Sequence, residues 1–305
     1  MAYRDGGITY SGRFAPSPTG PLHAGSLYTA LASYLDARSA GGHWLLRIDD
    51  LDPQRTVAGM ADKIMRSLES LHLNWDGPVL YQSQRLHAYE DALNRLIDQG
   101  WVYSCSCSRK MLANHGVYPG TCRGKKPDTL KPHALRINVP QTLLMVQDNL
   151  QGQREIYLDQ TLGDFIVYRR DQVPAYHLAT VVDDAYQGIT HVVRGIDLLD
   201  LTPAQAYLRT RLQLPSPVHA HLPVLVDRHG QKLSKQSHAP EAATDRPALM
   251  LYHLLVLLKQ APPDGLHREI PAVILDWAIH HWNPAPLRGV SQVTPAVPDE
   301  LGFPS

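Results

Sequence analysis

The stretch from Arg13 to Ser26 constrains the fold of this chain more than any other, because it predicts a strand, a rigid loop and a helix start in succession. It reads RFAPSPTGPLHAGS, in which three prolines fix φ and exclude a regular element. The pattern predicts a strand over Ile8 to Phe14 and a helix capped by Ser26. Gly20 and Gly25 permit a close backbone approach, and a helix N-terminus attracts anions. The stretch therefore favours a phosphate-bearing ligand such as a nucleotide, although turns of this composition are as often plain connections.

The composition indicates a globular protein with a substantial core. The chain has 305 residues, 44% of them hydrophobic, which is enough for two domains. Basic and acidic residues number 29 each, so no general basic field marks a nonspecific nucleic-acid binder, and any RNA contact must be local. The N-terminus lacks an apolar signal region, and the longest apolar run, Leu249 to Leu258, is too short for a bilayer and is expected to pack in the core. We therefore expect a soluble cytoplasmic protein.

The order of the predicted elements indicates an α/β fold that begins with a βαβ unit. A helix over Ser26 to Ala40 precedes a strand over His43 to Ile48, and an acidic cluster starting at Asp49 stands at the carboxyl end of that strand. Ligands bind at this edge of open α/β sheets. Two further helices are predicted over Val57 to His72 and over Gln84 to Gln99.

Two short motifs far apart in the chain carry the chemistry. His23, Gly25 and Ser26 belong to PLHAGS, and Lys232 and Lys235 belong to KLSKQ. Together the motifs resemble the two signature motifs of class I aminoacyl-tRNA synthetases, with serine in the last place of the first, and leucine and glutamine substituted in the second. In amino-acid activation a carboxylate attacks the α-phosphate of ATP, so negative charge grows on the phosphates. His23, Lys232 and Lys235 are therefore predicted as catalytic residues.

The same resemblance implies that ATP, accompanied by magnesium, binds between the two motifs. The implied ATP-binding residues are Pro16, His23, Gly25, Ser26 and Lys235. Lys235 is predicted to contact the transition state, because a lysine on a loop that can close neutralises the leaving phosphates. In isolation a Lys-x-Ser-Lys run is most often a solvated loop, and its pairing with the first motif favours the catalytic interpretation.

Further segments narrow the resemblance to discriminating glutamyl-tRNA synthetases. They are RFAPSPTG from Arg13, RIDDLDP from Arg47, QSQR from Gln82, YHLA from Tyr176 with the VVDD that follows, and VRG from Val193. The side-chain carboxylate of a glutamate substrate needs a fixed cation, and the planar guanidinium of arginine can bind it with two hydrogen bonds. The amino group of the same substrate needs an anion. The resemblance implies a glutamate site made of Arg13, Ala15, Ser17, Asp49, Tyr176 and Arg194. The family usually has Glu where this chain has Asp49, so the fit of this carboxylate to the substrate ammonium stays open.

The length of chain after the second motif distinguishes a subgroup. Only about seventy residues follow Gln236, too few for the large helical anticodon-binding region of glutamyl-tRNA synthetases. The chain thus resembles the truncated paralogues of these enzymes. The resemblance implies activation of L-glutamate by ATP without tRNA, then transfer of glutamate to the queuosine base at the wobble position of tRNA(Asp). The resemblance also implies a monomer that does not bind a membrane. Its implied partners are ATP, L-glutamate and the anticodon stem-loop of tRNA(Asp) that carries queuosine.

The three cysteines of the chain, Cys105, Cys107 and Cys122, are clustered within one short window. Close spacing at each end of a loop is typical of structural zinc sites, and three cysteines do not make a disulfide framework. The resemblance implies that Tyr118 is the fourth zinc ligand, whereas ordinary zinc chemistry would favour His115. Three reduced, unliganded thiols are the remaining alternative.

The predicted architecture is a Rossmann-like class I synthetase catalytic domain with an inserted zinc-bearing α+β module and a short C-terminal helical segment, without an anticodon-binding domain. A hairpin over Leu222 to Lys235, turning at His229, completes the sheet. The two halves of the catalytic domain are predicted at 8–100 and 173–239, with the inserted module between them at 101–172. The resemblance implies that this module binds the acceptor. The helical segment is predicted at 240–283, followed at 284–305 by a Pro-rich tail that we expect to be mobile.

Three other functions are weighed against this one. A truncated ordinary glutamyl-tRNA synthetase would charge a tRNA 3′ end, and the missing anticodon-binding region disfavours it. A small-molecule adenylyltransferase would not need the glutamate site. A non-catalytic RNA-binding paralogue should have lost Arg13, His23 or Lys235, and all three are present. The basic runs at Arg123 and Arg169 could face tRNA phosphates or solvent equally well.

Overall fold

A computed structural model describes residues 9–125, 132–227, 230 and 245–294 of the chain. The strands of this part are β1 Ser11–Phe14, β2 His43–Ile48, β3 Leu80–Tyr81, β4 Val102–Cys105, β5 Ala134–Ile137, β6 Leu143–Asp148, β7 Gly152–Tyr157, β8 Phe165–Tyr168, β9 His191–Gly195, β10 Val218–Leu222, β11 Val224–Leu225 and β12 Gln292–Val293. The helices are α1 Ala24–Ser39, α2 Met60–Ser70, α3 Leu86–Asp98, α4 Leu158–Thr161, α5 Tyr176–Tyr186, α6 Thr202–Leu212, α7 Pro247–Leu257 and α8 Pro271–His281.

Two groups of parallel strands meet at β1 and β9 and together form the main sheet. β1, β2 and β3 pair in parallel, and β9, β10 and β6 pair in parallel in that order, with β7 antiparallel to β6. The groups join where the amide of Thr190 donates to the carbonyl of Ser11 at 2.9 Å. Both β1 and β9 begin at this contact, so their carboxyl ends, Phe14 and Gly195, lie at the same edge. The predicted α/β fold is confirmed, and its ligand-binding edge is defined.

Helix α1 is apolar on most of its surface because it lies between the sheet and the C-terminal helices. It packs against β1, β2 and β9 on one side and against α7 and α8 on the other. Leu27, Leu31 and Leu35 of α1 are fully buried, as are Leu251 and Leu254 of α7. The predicted core role of the apolar run 249–258 is confirmed. This burial fixes the N-terminus of α1 at the edge of the sheet.

The segment predicted as an inserted module contains two different structures. β4, β5 and β8 form a separate antiparallel sheet. β6 and β7 form a hairpin that extends the main sheet instead, where the amide of Asn149 donates to the carbonyl of His219 at 2.8 Å. β7 is mostly exposed and polar, so its sequence resembles that of the surrounding loops. Part of the segment 101–172 therefore belongs to the main sheet.

The start of α1 differs from the predicted one. The helix begins at Ala24, and its N-cap is His23 rather than Ser26. The side chain of His23 accepts a hydrogen bond from the amide of Ser26 through Nδ1, at 3.3 Å. The prediction followed the usual preference for serine at the cap, and here an imidazole nitrogen satisfies the same free N–H group.

The chain after Leu222 also departs from the prediction. β11 pairs in parallel with β12, a strand within the predicted tail. Leu287 is fully buried and the amide of Gly289 donates to the carbonyl of Leu150 at 2.9 Å, so the predicted mobile tail is packed as far as residue 294. The turn predicted at His229 and the second half of the predicted hairpin lie largely outside the described residues. In the described part of the chain, no helix is long and apolar enough to cross a membrane.

Candidate active site

A cleft of about 310 Å³ lies at the carboxyl ends of β1 and β9. The loop after β1, the first turn of α1, the end of β9 and the segment around β11 form its walls. Nine of the predicted site residues line it together: Arg13, Ala15, Pro16, Ser17, His23, Gly25, Ser26, Tyr176 and Arg194. The structure thus brings these nine residues to one place, whereas Asp49 does not line the cleft, and Lys232 and Lys235 lie outside the described residues.

The capping geometry of His23 prepares it to donate to a phosphate. Because Nδ1 accepts from the Ser26 amide, the neutral imidazole carries its proton on Nε2, which lies 3.1 Å from the Ser26 hydroxyl. Gly25 follows in the first turn, and its carbonyl accepts from the hydroxyl of Thr29 at 3.1 Å. Partial positive charge at the start of α1 adds to these donors. This end of the cleft suits a phosphate group.

A buried cluster of three arginines around one carboxylate supports the other end of the cleft. Asp184 of α5 accepts from Arg13 Nε at 3.3 Å, from Arg47 Nη1 at 2.7 Å and from Arg209 Nη2 at 2.9 Å. All four side chains are buried. Burial raises the pKa of Asp184, but the guanidinium groups of Arg13, Arg47 and Arg209 outweigh it and hold this pKa well below its usual range. The cluster fixes Arg13 against the cleft.

Arg194 differs from these arginines because every hydrogen-bond partner it has is neutral. Its Nε donates to Nε2 of His221 at 3.0 Å, and its Nη2 donates to the hydroxyl of Thr202 at 3.0 Å and to the carbonyl of Leu198 at 3.3 Å. Among the described residues, Nη1 has no partner and no carboxylate pairs with this side chain. Burial, and the charge of Arg13, lower the pKa of Arg194. An anion bound in the cleft would compensate this buried charge.

The structure does not bring Asp49 to the lining of the cleft. Its carboxylate accepts from Arg47 Nε at 2.7 Å, and only its backbone approaches the site, where its amide donates to the carbonyl of Pro16 at 3.0 Å. Burial raises the pKa of Asp49 although Arg47 opposes the shift. The carboxylate that lines the cleft is that of Asp197, whose Oδ1 lies so close to Gly195 that a Cβ there would approach it to 2.4 Å.

The predicted zinc ligands lie together as a compact group. The three cysteine sulfurs are all within 4.8 Å of one another, with Cys107 Sγ 3.5 Å from Cys122 Sγ. The hydroxyl of Tyr118 lies 3.4 Å from Cys105 Sγ and 3.8 Å from Cys107 Sγ. Donors around a tetrahedral zinc ion stand about 3.5–3.8 Å apart, given metal–ligand bonds of about 2.0–2.3 Å. The cysteines therefore could hold a metal ion, and the tyrosine oxygen is at the spacing of a fourth ligand.

Neighbouring groups order this cluster further. The Tyr118 hydroxyl accepts from the amide of Cys122 at 3.0 Å, and the Arg136 guanidinium lies 3.9 Å from the centre of the Tyr118 ring. Burial raises the pKa of the Cys122 thiol, but hydrogen bonds from Tyr118, from the Ser106 amide and from Cys107 lower it to about 7. The metal-competent group found among the described residues does not include His115, which lines a neighbouring cavity. This geometry favours Tyr118 over His115.

Sequence reasoning missed several residues that shape the site. The family-like segments contain Arg47 and Asp184 without indicating a role for either residue, and no motif marks Arg209, Asp197 or His221. A sequence signal existed for Asp184, which lies in the VVDD segment. Arg209 and His221 lie far along the chain in segments typical of a helix and a strand, so only their contacts reveal them.

Comparison with known proteins identifies the fold of the chain. A family model described as the catalytic domain of class I tRNA synthetases (E and Q) matches residues 10–117 and 122–258. A glutamate tRNA ligase from Elizabethkingia meningosepticum, crystallised in complex with its amino acid, has a similar fold, with a TM-score of 0.79, 24% identity, and coverage of 94% of this chain and 67% of that one. Glutamate-tRNA synthetase from Elizabethkingia anophelis superposes with a TM-score of 0.78 at 24% identity, covering 93% and 68%. The predicted class I catalytic fold is confirmed.

Curated relatives are more similar. Glutamyl-Q tRNA(Asp) synthetase of Methylococcus capsulatus is 50% identical over 285 residues, which cover 93% of this chain and 94% of the relative. The protein of the same name from Thiobacillus denitrificans is 49% identical over 279 residues, covering 89% and 93%. The chain belongs to the class I family of glutamyl- and glutaminyl-tRNA synthetases, in the group whose curated members are named glutamyl-Q tRNA(Asp) synthetase. The predicted resemblance to truncated paralogues is confirmed.

Proposed function

We propose that this protein activates L-glutamate with ATP in the absence of tRNA and transfers the glutamate to the queuosine base at the wobble position of tRNA(Asp). The observation that carries the proposal is Arg194, a buried guanidinium at the cleft whose hydrogen-bond partners are all neutral, close to a helix N-terminus suited to phosphate. A glutamate side chain supplies the anion that Arg194 lacks. The relatives named glutamyl-Q tRNA(Asp) synthetase support the choice of acceptor.

The first step joins glutamate to AMP. An oxygen of the glutamate α-carboxylate attacks the α-phosphorus of ATP, the bond from that phosphorus to the bridging oxygen of the β-phosphate breaks, and pyrophosphate leaves. The Nε2–H of His23 and the N-terminus of α1 stabilise the growing charge on the phosphate oxygens. Lys232 and Lys235 neutralise the leaving pyrophosphate in this proposal, and both lie outside the described residues. Magnesium accompanies ATP as its counter-ion.

The amino acid is held by fixed charges in this scheme. The γ-carboxylate of glutamate binds Arg194, with Arg13 beside it, because the α-carboxylate must stay available for attack. Ala15, Ser17 and Tyr176 line the same cleft. For the ammonium group the cleft offers Asp197, whereas the predicted anchor Asp49 is paired with Arg47. Because it lines the cleft, Asp197 is the ammonium anchor in this scheme.

The second step moves glutamate to RNA. A hydroxyl of the cyclopentene-diol of queuosine attacks the carbonyl carbon of the adenylate, the bond to the phosphate oxygen breaks, AMP leaves and an ester forms. In this proposal the protein acts on the anticodon stem-loop as a monomer, and the acceptor is the one in the names of relatives of which this chain covers 93–94% of the length. A tRNA substrate implies action in the cytoplasm.

A structural zinc ion held by Cys105, Cys107, Cys122 and Tyr118 fits the inserted module. When bound, it would cross-link the end of β4 to the loop that carries Tyr118 and Cys122. This loop sits on a small three-stranded sheet, so a metal cross-link would add stability that its own core does not supply.

The proposal is tested with labelled glutamate and bulk tRNA from cells that make queuosine and from cells that do not. We expect label only in the first pool, on the anticodon fragment after ribonuclease digestion. Label at the 3′ end would identify a truncated glutamyl-tRNA synthetase instead, and equal labelling of both pools would exclude queuosine. Glutamate-dependent pyrophosphate exchange without tRNA tests the first step, and its absence would show that activation needs tRNA or does not occur.

A further inference from the structure

A buried chain of hydrogen bonds leads from Asp148 through His221 to Arg194. Asp148 Oδ2 lies 2.5 Å from His221 Nδ1, and His221 Nε2 accepts from Arg194 Nε at 3.0 Å. All three side chains are buried, and His221 is fully so. They stand on adjacent strands, β6, β10 and β9, where His221 and Arg194 are direct cross-strand partners.

We propose that His221, oriented by Asp148, is the positioning residue that aims Arg194 at the glutamate carboxylate. This inference rests on the proposed function and assigns a role to two residues that do not line the cleft. His221 acts through Arg194, and its Nε2 also lies 3.4 Å from the Thr202 hydroxyl, to which Arg194 donates.

The hydrogen-bond chain fixes the direction of each donor. Asp148 can only accept, so the proton of the neutral imidazole sits on Nδ1 and leaves Nε2 as an acceptor. That acceptor faces Arg194 Nε, and a guanidinium is rigid and planar, so fixing Nε and Nη2 fixes Nη1 as well. Nη1 is the atom without a partner among the described residues. The remaining donor is thus presented in one orientation before substrate arrives.

A histidine suits position 221 because it is a neutral hydrogen-bond partner for Arg194. A carboxylate in place of His221 would pair with Arg194 and compete with the substrate carboxylate. The imidazole instead orients the guanidinium and leaves its charge for the ligand. Burial lowers the pKa of His221, which keeps it neutral and accepting near pH 7. The Asp148 charge is satisfied separately, by the amides of Leu150 and Gln151 at 2.9 and 2.8 Å.

Two substitutions of His221 distinguish the roles of its two ring nitrogens. His221→Gln places an amide group near the position of Nε2, which preserves an acceptor for Arg194, and His221→Asn preserves only the position of Nδ1. In glutamate-dependent pyrophosphate exchange we expect H221N to raise the KM for glutamate about ten- to a hundredfold, as for loss of a hydrogen bond to a charged group, with the KM for ATP unchanged. H221Q should raise it less than about threefold, a small part of one hydrogen bond. His219→Gln, on the same strand and with a buried ring stacked on His221, is the matched control and should leave both constants unchanged.

Equal effects of H221N and H221Q, or a parallel rise in both KM values, would overturn the proposal, because a purely structural role would not distinguish the two nitrogens. A second measurement needs neither folded variants nor activity. In wild-type protein labelled with ¹⁵N in arginine and histidine, we expect a coupling across the hydrogen bond between Arg194 Nε and His221 Nε2. A rapidly exchanging Arg194 Nε–H with no such coupling would also overturn it. If wild-type protein shows the coupling but no glutamate-dependent exchange, the proposed function fails and the positioning geometry stands.

Discussion

Arg13 and Asp184, separated by 171 residues in sequence, form a fully buried ion pair with 3.3 Å between Nε and Oδ1. Asp184 also pairs with Arg47 and Arg209, so three buried guanidinium groups share this carboxylate, and Arg47 pairs with Asp49 as well. The end of the cleft that contains Arg13 is therefore built on an electrostatic cluster whose members come from β1, β2, α5 and α6.

Asp184→Asn should destabilise the protein by about 3–5 kcal/mol, because it removes the carboxylate that pairs with the buried guanidinium groups of Arg13 and Arg209, whereas Arg47 keeps Asp49. Asp171→Asn removes an exposed partner of Arg169 and should cost less than about 1 kcal/mol. Urea unfolding of both variants checks the difference. Similar losses would show that Asp184 does not neutralise the cluster.

Substitutions at His23 should separate its structural and chemical roles. His23→Asn keeps a side chain that can cap α1 but loses the Nε2 donor, so we expect kcat for pyrophosphate exchange to fall about 10²- to 10³-fold with little change in stability. His23→Ala should show the same loss and also cost about 1 kcal/mol in unfolding free energy. Unchanged kcat in H23N would remove His23 from phosphate binding.

The ammonium anchor can be identified by comparing Asp49→Asn with Asp197→Asn. Because Asp197 lines the cleft and Asp49 is paired with Arg47, we expect D197N to raise the KM for glutamate more, by about tenfold or greater, as for loss of one charged hydrogen bond. D49N should act mainly on thermal stability. A larger KM effect in D49N would instead restore the anchor implied by the family resemblance.

Metal content tests the fourth zinc ligand. Wild-type protein and His115→Ala should each carry one zinc per chain, while Tyr118→Phe should bind zinc more weakly and Cys107→Ser should lose it. Chelator competition followed by elemental analysis measures the differences. Retention by Y118F with loss by H115A would reverse the assignment.

Acid should destabilise the protein partly through buried histidines. Burial lowers the pKa of His219 to about 3 and that of His177 to about 4, both from an ordinary value of 6.5. The unfolded state therefore binds more protons below pH 6.5, so stability falls as pH falls toward 4. His219 alone should contribute about 2 kcal/mol of loss between pH 7 and pH 5, which His219→Gln should abolish in urea titrations at the two values. A variant with the same pH dependence as wild type would show that His219 is not the group responsible.

The sequence predicted the local features of the site well because short-range chemistry carries them. Prolines and glycines in the loop after β1, the strand His43–Ile48 and the spacing of Cys105, Cys107 and Cys122 are each readable within a few residues. The predicted cap of α1, Ser26, lies three residues after the observed cap, His23, since histidine is not a usual N-cap and its imidazole replaces the expected hydroxyl. The boundary of the module was not predicted because β7 is exposed and polar like the surrounding loops, and because β10, the partner of β6 in the sheet, lies about seventy residues further along the chain.

By itself the sequence determined the fold class and the family, and it predicted most of the side chains that line the cleft, because motifs record chemistry in adjacent residues. Only the tertiary structure decided which charges remain for the substrate. Arg13 and Arg194 look alike in sequence, yet Asp184 neutralises one of them while His221 merely orients the other. That difference arises because burial of the core brings together strands and helices that are distant in the sequence. The free energy of a buried charge depends on the partners that this packing supplies, and not on its neighbours in the chain.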